Sequence, residues 1–235
     1  MTVLQMDFPR ALRAAQADVE ADDAALRELR RLAGPTVQRY LRVTAPDVAD
    51  EVASATWATV RRGLRYFTGG EQAFRRLLVR IAREEVAARR RNDRSDPPAI
   101  VDLVRLAARH RGRSPERAAG PPSTERVLRL LATLPPDVAE MVALRVVVGM
   151  SAEETAGLLA TRPGFVIVAV HGGLRRTVGE LTARSGNVTA MLPNPWELDR
   201  LLDGLARHGS NDLAVLDPTV RDVVLALRPR DTVSG

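Results

Sequence analysis

The chain has no cysteine and no lysine among its 235 residues. Without cysteine there is neither a disulfide framework nor a thiolate metal site. Without lysine, all 35 basic side chains are arginine, a usage that a GC-rich coding bias explains better than a functional demand does. Aromatic residues make up 3%, so a core must be built from leucine, valine and alanine. The three histidines, His110, His171 and His208, lie far apart without ligand spacing, and no metal site is expected. Thr68-Gly69-Gly70 lacks the further glycines and the lysine of a phosphate-binding loop. No cofactor is expected, and no constellation points to an enzyme. No apolar run approaches the roughly 20 residues that span a bilayer. The opening MTVLQMDFPRALRAAQ has no long apolar stretch and no cleavage site. These absences predict a cytoplasmic protein without membrane insertion.

Arginine and helical periodicity are what the sequence does contain. A formal charge of +6 with a pI near 11.0 permits a polyanionic partner, most simply nucleic acid. The length allows two small domains. Apolar residues at three- and four-residue spacing predict a helix over 11–33, stopped by Gly34-Pro35, and a short one over 36–42. Helices over 47–65 and 73–91 follow, separated by the Thr68-Gly69-Gly70 break. Residues 5–92 therefore read as one helical domain. Residues 93–122, bracketed by Asp96-Pro97-Pro98 and Gly120-Pro121-Pro122, read as a linker with one short helix at 100–108.

A second helical domain is expected over 123–183. Helices over 123–134 and 136–148 lead to a turn at Gly149-Met150. Ser151 and Glu154 then form a capping box, and Pro163 suits the first turn of the next helix. Helix, short turn and helix make a helix-turn-helix. A tail over 190–235 has two short amphipathic helices, 196–207 and 218–227. Trp196, Leu198, Leu201, Leu202 and Leu205 form the apolar face of the first. From Trp196 onward the tail carries seven acidic and five basic residues, opposite in sign to the body. It is expected either to fold back on the rest of the chain, to recruit a partner helix, or to be a simple packed hairpin.

Arg75, Arg76, Arg80, Arg83, Arg89, Arg90 and Arg91 crowd the 73–91 helix against only Glu84 and Glu85. Local ion pairs on a solvated face are one account. Phosphate neutralisation, with steep salt dependence, is the other. The stretch TRPGFVIVAVHGGLRR, residues 161–176, occupies the position of a recognition helix. Phe165 to Val170 nevertheless offers no group that hydrogen-bonds a base edge, and apolar side chains reach at most thymine methyls. Gly172-Gly173 weakens helix propensity by roughly 1 kcal/mol each. An exposed apolar stripe of Phe165, Ile167, Val168 and Leu174 suits a protein contact. A buried strand over 165–170 is the alternative, since valine and isoleucine favour strands.

Three segments together resemble the sigma-70 family of bacterial RNA polymerase sigma factors, in its extracytoplasmic-function group. AAQADVEADDAALRELRRLAGPTVQRYLR and DVADEVASATWATVRRGLRYFTGGEQAFRRLLVRIAREEVAARRR are similar to the family's region 2. RVLRLLATLPPDVAEMVALRVVVGMSAEETAGLLATRPGFVIVAVHGGLRR is similar to region 4. The resemblance spans residues 10–180. It implies an all-α fold of two helical domains, with the tail as a short helical extension. It also implies binding to core RNA polymerase and promoter DNA, opening of the −10 element by region 2 and contact with the −35 element by region 4. An anti-sigma factor is a further implied partner.

The resemblance assigns residues in turn. The polymerase-contact motif is Asp50-Glu51-Val52-Ala53-Ser54-Ala55-Thr56-Trp57, with Asp50, Glu51, Val52, Thr56 and Trp57 as the expected contacts and Ser54-Ala55 where the family has Gln-Glu. Tyr66, Phe67, Gly69, Gly70 and Phe74 match the −10 loop, which would hold an unstacked base. Arg75, Arg80, Arg83, Arg89, Arg90 and Arg91 would hold that strand's phosphates. Glu84 stands where the family has asparagine, and a carboxylate there repels phosphate. In region 4, Arg162, His171, Arg175 and Arg176 remain for DNA, while Ile167, Val168 and Ala169 replace the reading positions and Gly172 an arginine. The expectation is a sigma factor with weakened −35 readout. A sigma-like regulator working mainly through protein contact, or an unrelated helix-turn-helix regulator, are the alternatives.

Overall fold

The computed structural model describes residues 7–17, 23–95, 122–185, 190–208 and 210–228. Among them there is no strand; the fold is all-α. The expected helix at 100–108 lies outside the described residues, as does most of the expected linker.

Helix α1 (Phe8–Ala17) starts where the Asp7 carboxylate accepts the Arg10 amide at 3.0 Å. Helix α2 (Asp23–Thr44) runs through Gly34-Pro35 instead of stopping there. An interior proline removes one helix hydrogen bond and costs about 3 kcal/mol. Against this, Leu29, Ala33, Val37, Tyr40 and Leu41 form one unbroken buried stripe across the proline. Packing of that face outweighs local propensity. Helix α3 (Ala49–Gly63) and helix α4 (Glu71–Ser95) bury Val52, Ala53, Thr56, Trp57 and Val60 against Phe74, Leu78, Val79, Ala82 and Val86. Phe74 is wholly buried, with the rings of Phe67, Phe8 and Trp57 at 5.3, 5.4 and 6.1 Å.

The second half begins with α5 (Thr124–Leu131), whose first turn is capped by Ser123 accepting from the Arg126 amide. Helix α6 (Pro136–Val142) widens into a π-helical turn (Ala143–Val148) in which every residue is buried. Gly149, at φ +77, ends it in the left-handed conformation that glycine adopts without strain. The capping box forms as expected: the Ser151 hydroxyl accepts from the Glu154 amide at 3.1 Å, and the Glu154 carboxylate accepts from the Ser151 amide at 2.8 Å. It opens α7 (Ala152–Leu159).

Helix α8 (Pro163–Ser185) follows and passes unbroken through Gly172-Gly173, so residues 165–170 are helical and not a strand. A Cβ on Gly173 would stand 2.8 Å from Val142 Cγ2 and 3.0 Å from Val138 Cγ1. The glycine is there for the close approach of α6, and packing repays its low propensity. The tail forms α9 (Pro195–His208), a 3₁₀ segment (Ser210–Val215) and α10 (Pro218–Leu227).

The buried apolar residues form one continuous cluster from α1 to α10. Helix α2 packs on α3 and α4, and also on α5, α6 and the π turn. Helices α9 and α10 lie on α8, and α10 also covers α5 and the π turn. Among the described residues, no single helix is long and apolar enough to cross a membrane.

Candidate nucleic-acid interface

The Thr68-Gly69-Gly70 break builds the first candidate face. It joins α3 to α4 through a 3₁₀ turn (Leu64–Tyr66), and its shape is set by two constraints. Gly69 sits at φ +152 with its Cα facing Ala73 and Phe67, so that a Cβ would come within 3.0 Å of both. From α1, the Gln16 amide donates to the carbonyls of Leu64 and Phe67 at 3.0 and 2.7 Å. Phe67 is thereby folded down on Phe74, leaving Tyr66 as the exposed ring at 72%. The Arg65 guanidinium stacks on it at 4.6 Å, a pairing that leaves one ring face and a positive charge toward solvent. Phe74, expected to help hold a base, lies in the core.

Arg61, Arg62 and Arg65 are exposed beside Tyr66. Basic residues interleaved with an exposed aromatic are what single-stranded nucleic acid requires: charge for the backbone and a ring for a base. Tyr66 and Phe67 of the segment RRGLRYF are expected from the sequence, while Arg61, Arg62 and Arg65 beside them are added by the structure.

The arginines of α4 divide. Arg80, Arg90 and Arg91 are exposed; Arg90 donates to the Thr44 carbonyl at 3.1 Å, and Arg89 faces Glu85 at 3.7 Å. Arg75 is 7% exposed and is held by Glu71 at 2.5 Å. Two others turn toward the helix-turn-helix half: Arg76 pairs with Glu154, and Arg83 donates to Glu140 at 3.0 Å. Tyr40 donates to the same Glu140 oxygen at 2.7 Å. Burial and that carboxylate push the Tyr40 phenol well above its ordinary range. Gln72, one turn into α4, donates to the carbonyls of Val148 and Gly149 at 2.7 and 3.2 Å. Much of the arginine helix therefore faces protein.

On α8 the outward face is Phe165, Val168, Gly172, Arg175 and Arg176. Phe165 and Val168 are more than half exposed, as the apolar stripe requires. Ile167 and Leu174, expected on the same stripe, are buried: helical spacing turns them to the flank and the core. The flank is covered by the start of the tail. Trp196 lies over Gly164, His171 Nε2 meets the Pro193 carbonyl at 3.0 Å, and Ile167 stands between Gly164 and His171 on that side. Arg162 is exposed at the head of the helix.

A second face is a groove of about 560 Å³ between α2 and α3, lined by Arg30, Arg31, Gln38, Ala53, Ser54 and Trp57 among others. Arg30 stacks over the Trp57 ring at 5.6 Å. The Gln38 carbonyl oxygen is buried there without a hydrogen-bond partner. Asp50 and Glu51 are exposed at the start of α3. Val52 and Thr56 are core residues, Thr56 closing onto the Val52 carbonyl at 2.7 Å, and they offer nothing to a partner.

The tail's apolar face is buried at Leu198, Leu202 and Leu205 and partly buried at Leu201, while Trp196 remains 58% exposed. The arginine that matters most here escaped the sequence reasoning. Arg145, in the π turn, has no exposed side-chain surface. It donates to Asp203 at 2.9 Å, to the Asp199 carboxylate and to the Met150 carbonyl. Burial raises the Asp199 carboxyl above its ordinary value, and the arginine opposes that only in part. A lone charge inside the apolar run Ala143–Val148 was the available signal.

Comparison with known proteins gives consistent relatives. The chain is 35% identical over 179 residues to the ECF RNA polymerase sigma factor SigD of Mycobacterium tuberculosis, covering 70% of this chain and 81% of the relative. The same figures hold for SigD of Mycobacterium bovis. It is 30% identical over 184 residues to the ECF RNA polymerase sigma factor ShbA of Streptomyces griseus, covering 67% of this chain and 88% of that one. No protein-family model matches the chain, and no solved structure gives a significant match.

Proposed function

Because the chain belongs to the extracytoplasmic-function group of RNA polymerase sigma factors, we propose a division of labour among its faces. The α2–α3 groove seats on core polymerase, the rim around Tyr66 takes the −10 strand, and the helix-turn-helix contributes little sequence readout. The protein directs polymerase to promoters, and transcription starts where region 2 finds its −10 sequence.

The observation that carries the weakened −35 readout is the outward face of α8. It presents Phe165, Val168 and Gly172, then Arg175 and Arg176. Arginines on phosphate position a duplex without specifying it, and the apolar part lacks bidentate donors for base edges. At the −10 rim, Tyr66 and the arginines of RRGLRYF supply stacking and charge to an opened strand. The groove offers a partner the exposed Arg30, Arg31 and Ser54, and the exposed Asp50 and Glu51 at the start of α3 add negative charge near it. The exposed pair Phe165 and Val168 is the surface on which an anti-sigma factor would find apolar contact.

The test is transcription by reconstituted holoenzyme on genomic DNA, with the 5′ ends of the transcripts mapped. A shared motif near −10 and almost no information near −35 is expected. An equally strong motif at −35 contradicts the proposal.

A further inference from the structure

The −10 and −35 elements lie about 25 base pairs apart, which is about 85 Å of straight duplex at ~3.4 Å per pair. In this structure the two readers touch: Arg76 of α4 pairs with Glu154 of α7, and Gln72 donates to the carbonyl of Val148. A chain folded this way cannot occupy both elements, and two arginines of α4, Arg76 and Arg83, are spent on carboxylates of the other half. Resting on the sigma-factor reading above, we propose that the C-terminal extension, residues 190–228, is an intramolecular latch that holds the two readers closed, and that Arg145 with Asp199 and Asp203 is its catch.

Besides the packing of α2 on α5, α6 and the π turn, the direct ties between the two halves include ion pairs that are weak by themselves. Arg42–Glu125, Arg76–Glu154 and Arg83–Glu140 all involve arginines about two-fifths exposed or more, and such pairs contribute little in water. The π turn is the shared wall. Helix α2 and helix α10 both pack on it. From within that wall Arg145 reaches into α9, where Asp199 and Asp203 sit one turn apart. One further tie straps the tail to the body, Arg39 of α2 donating to the Leu227 carbonyl at 3.1 Å, and Arg228 donates to the Leu205 carbonyl at 2.6 Å to hold the tail's two helices together. At Gly149 the three parts converge, since a Cβ there would meet Arg228 of the tail at 3.1 Å and Gln72 of α4 at 3.2 Å.

The chemistry of the catch suits a releasable contact. Leucine and valine packing supplies the tail's adhesion, while the buried ion pair returns little net stability but fixes one geometry and fails when a partner leaves. The same tail segment lies along the Gly164–His171 flank of the recognition helix, so one release frees the readers from each other and uncovers that flank. Apparent affinity for a partner that needs the open form falls with the fraction open.

The absence of cysteine makes the test specific. Arg42→Cys with Glu125→Cys in the full chain places two thiols across the closed interface, outside both candidate faces. Joined by a bismaleimide with a reducible spacer, they lock the protein shut. Binding to core RNA polymerase of the encoding organism is measured before and after reduction, beside Asp199→Asn/Asp203→Asn and the milder Arg39→Gln in the otherwise natural chain. The locked form should bind at least about tenfold more weakly and recover on reduction. Both latch variants should bind more tightly than the natural chain, Arg39→Gln serving if the double variant loses its helical circular dichroism. Equal binding of the locked and reduced forms overturns the latch, as does unchanged binding of folded latch variants. Failure of the reduced form to bind core at all overturns the sigma-factor reading, and the latch with it.

Discussion

The Tyr40 hydroxyl donates to the Glu140 carboxylate at 2.7 Å across 100 residues of chain, and Arg83 shares the same oxygen at 3.0 Å. One carboxylate thus joins α2, α4 and α6. Glu140→Ala leaves a buried phenol without an acceptor and should cost about 1–3 kcal/mol, whereas Tyr40→Phe removes only the donor and should cost about 1 kcal/mol. Urea unfolding of the two variants checks the order; an equal or reversed cost would show that the hydroxyl is not confined as described.

The same phenol gives a prediction with pH. Its folded value is raised, chiefly by burial and then by Glu140. Its contribution to stability is complete below the ordinary phenol range near 10 and is lost as pH climbs toward the folded value. In Tyr66→Phe, where Tyr40 is the remaining tyrosine, ultraviolet absorbance should show no phenolate at pH 10 and a late rise accompanying unfolding. A smooth transition centred near pH 10 with the helices intact would refute it.

Neighbouring glycines in α8 should respond in opposite ways. Gly173→Ala puts a methyl 2.8 Å from Val142 Cγ2 and should destabilise by about 1–3 kcal/mol. Gly172→Ala meets nothing within 4 Å and should stabilise by up to about 1 kcal/mol. Thermal melts of the two proteins side by side are sufficient, and shifts of the same sign would contradict the packing.

Arginine scanning separates the faces of the same helix. Ile167→Arg buries a charge under the tail and should lower stability by more than about 2 kcal/mol or release the tail outright. Val168→Arg adds an exposed cation and should leave the melting temperature within a degree or two while strengthening duplex binding at low salt. Loss of that gain at moderate salt would be expected; a fall in affinity at low salt would not.

Helix type, the capping box at Ser151 and the helix-turn-helix order were legible in the sequence because they follow from local periodicity and side-chain chemistry. So was the basic character of α4, and so was the poverty of base-reading groups between Phe165 and Val170, which no folding can supply. Gly34-Pro35 misled because its penalty is local, while the buried face that overrides it is a property of the whole helix and what it packs on. Gly173 looked like a weakness because propensity does not register the helix lying against it.

The sequence by itself determined which elements form and which charges they carry. Only the tertiary structure decided where those charges point. Arg76 and Arg83 face carboxylates of the other half, Phe74 is core and not platform, and Arg145 is sealed against Asp199 and Asp203. Long-range pairing of this kind depends on how helices distant in the chain approach one another. It is set by the fit of their buried faces, which the pattern of residues along any single helix does not specify.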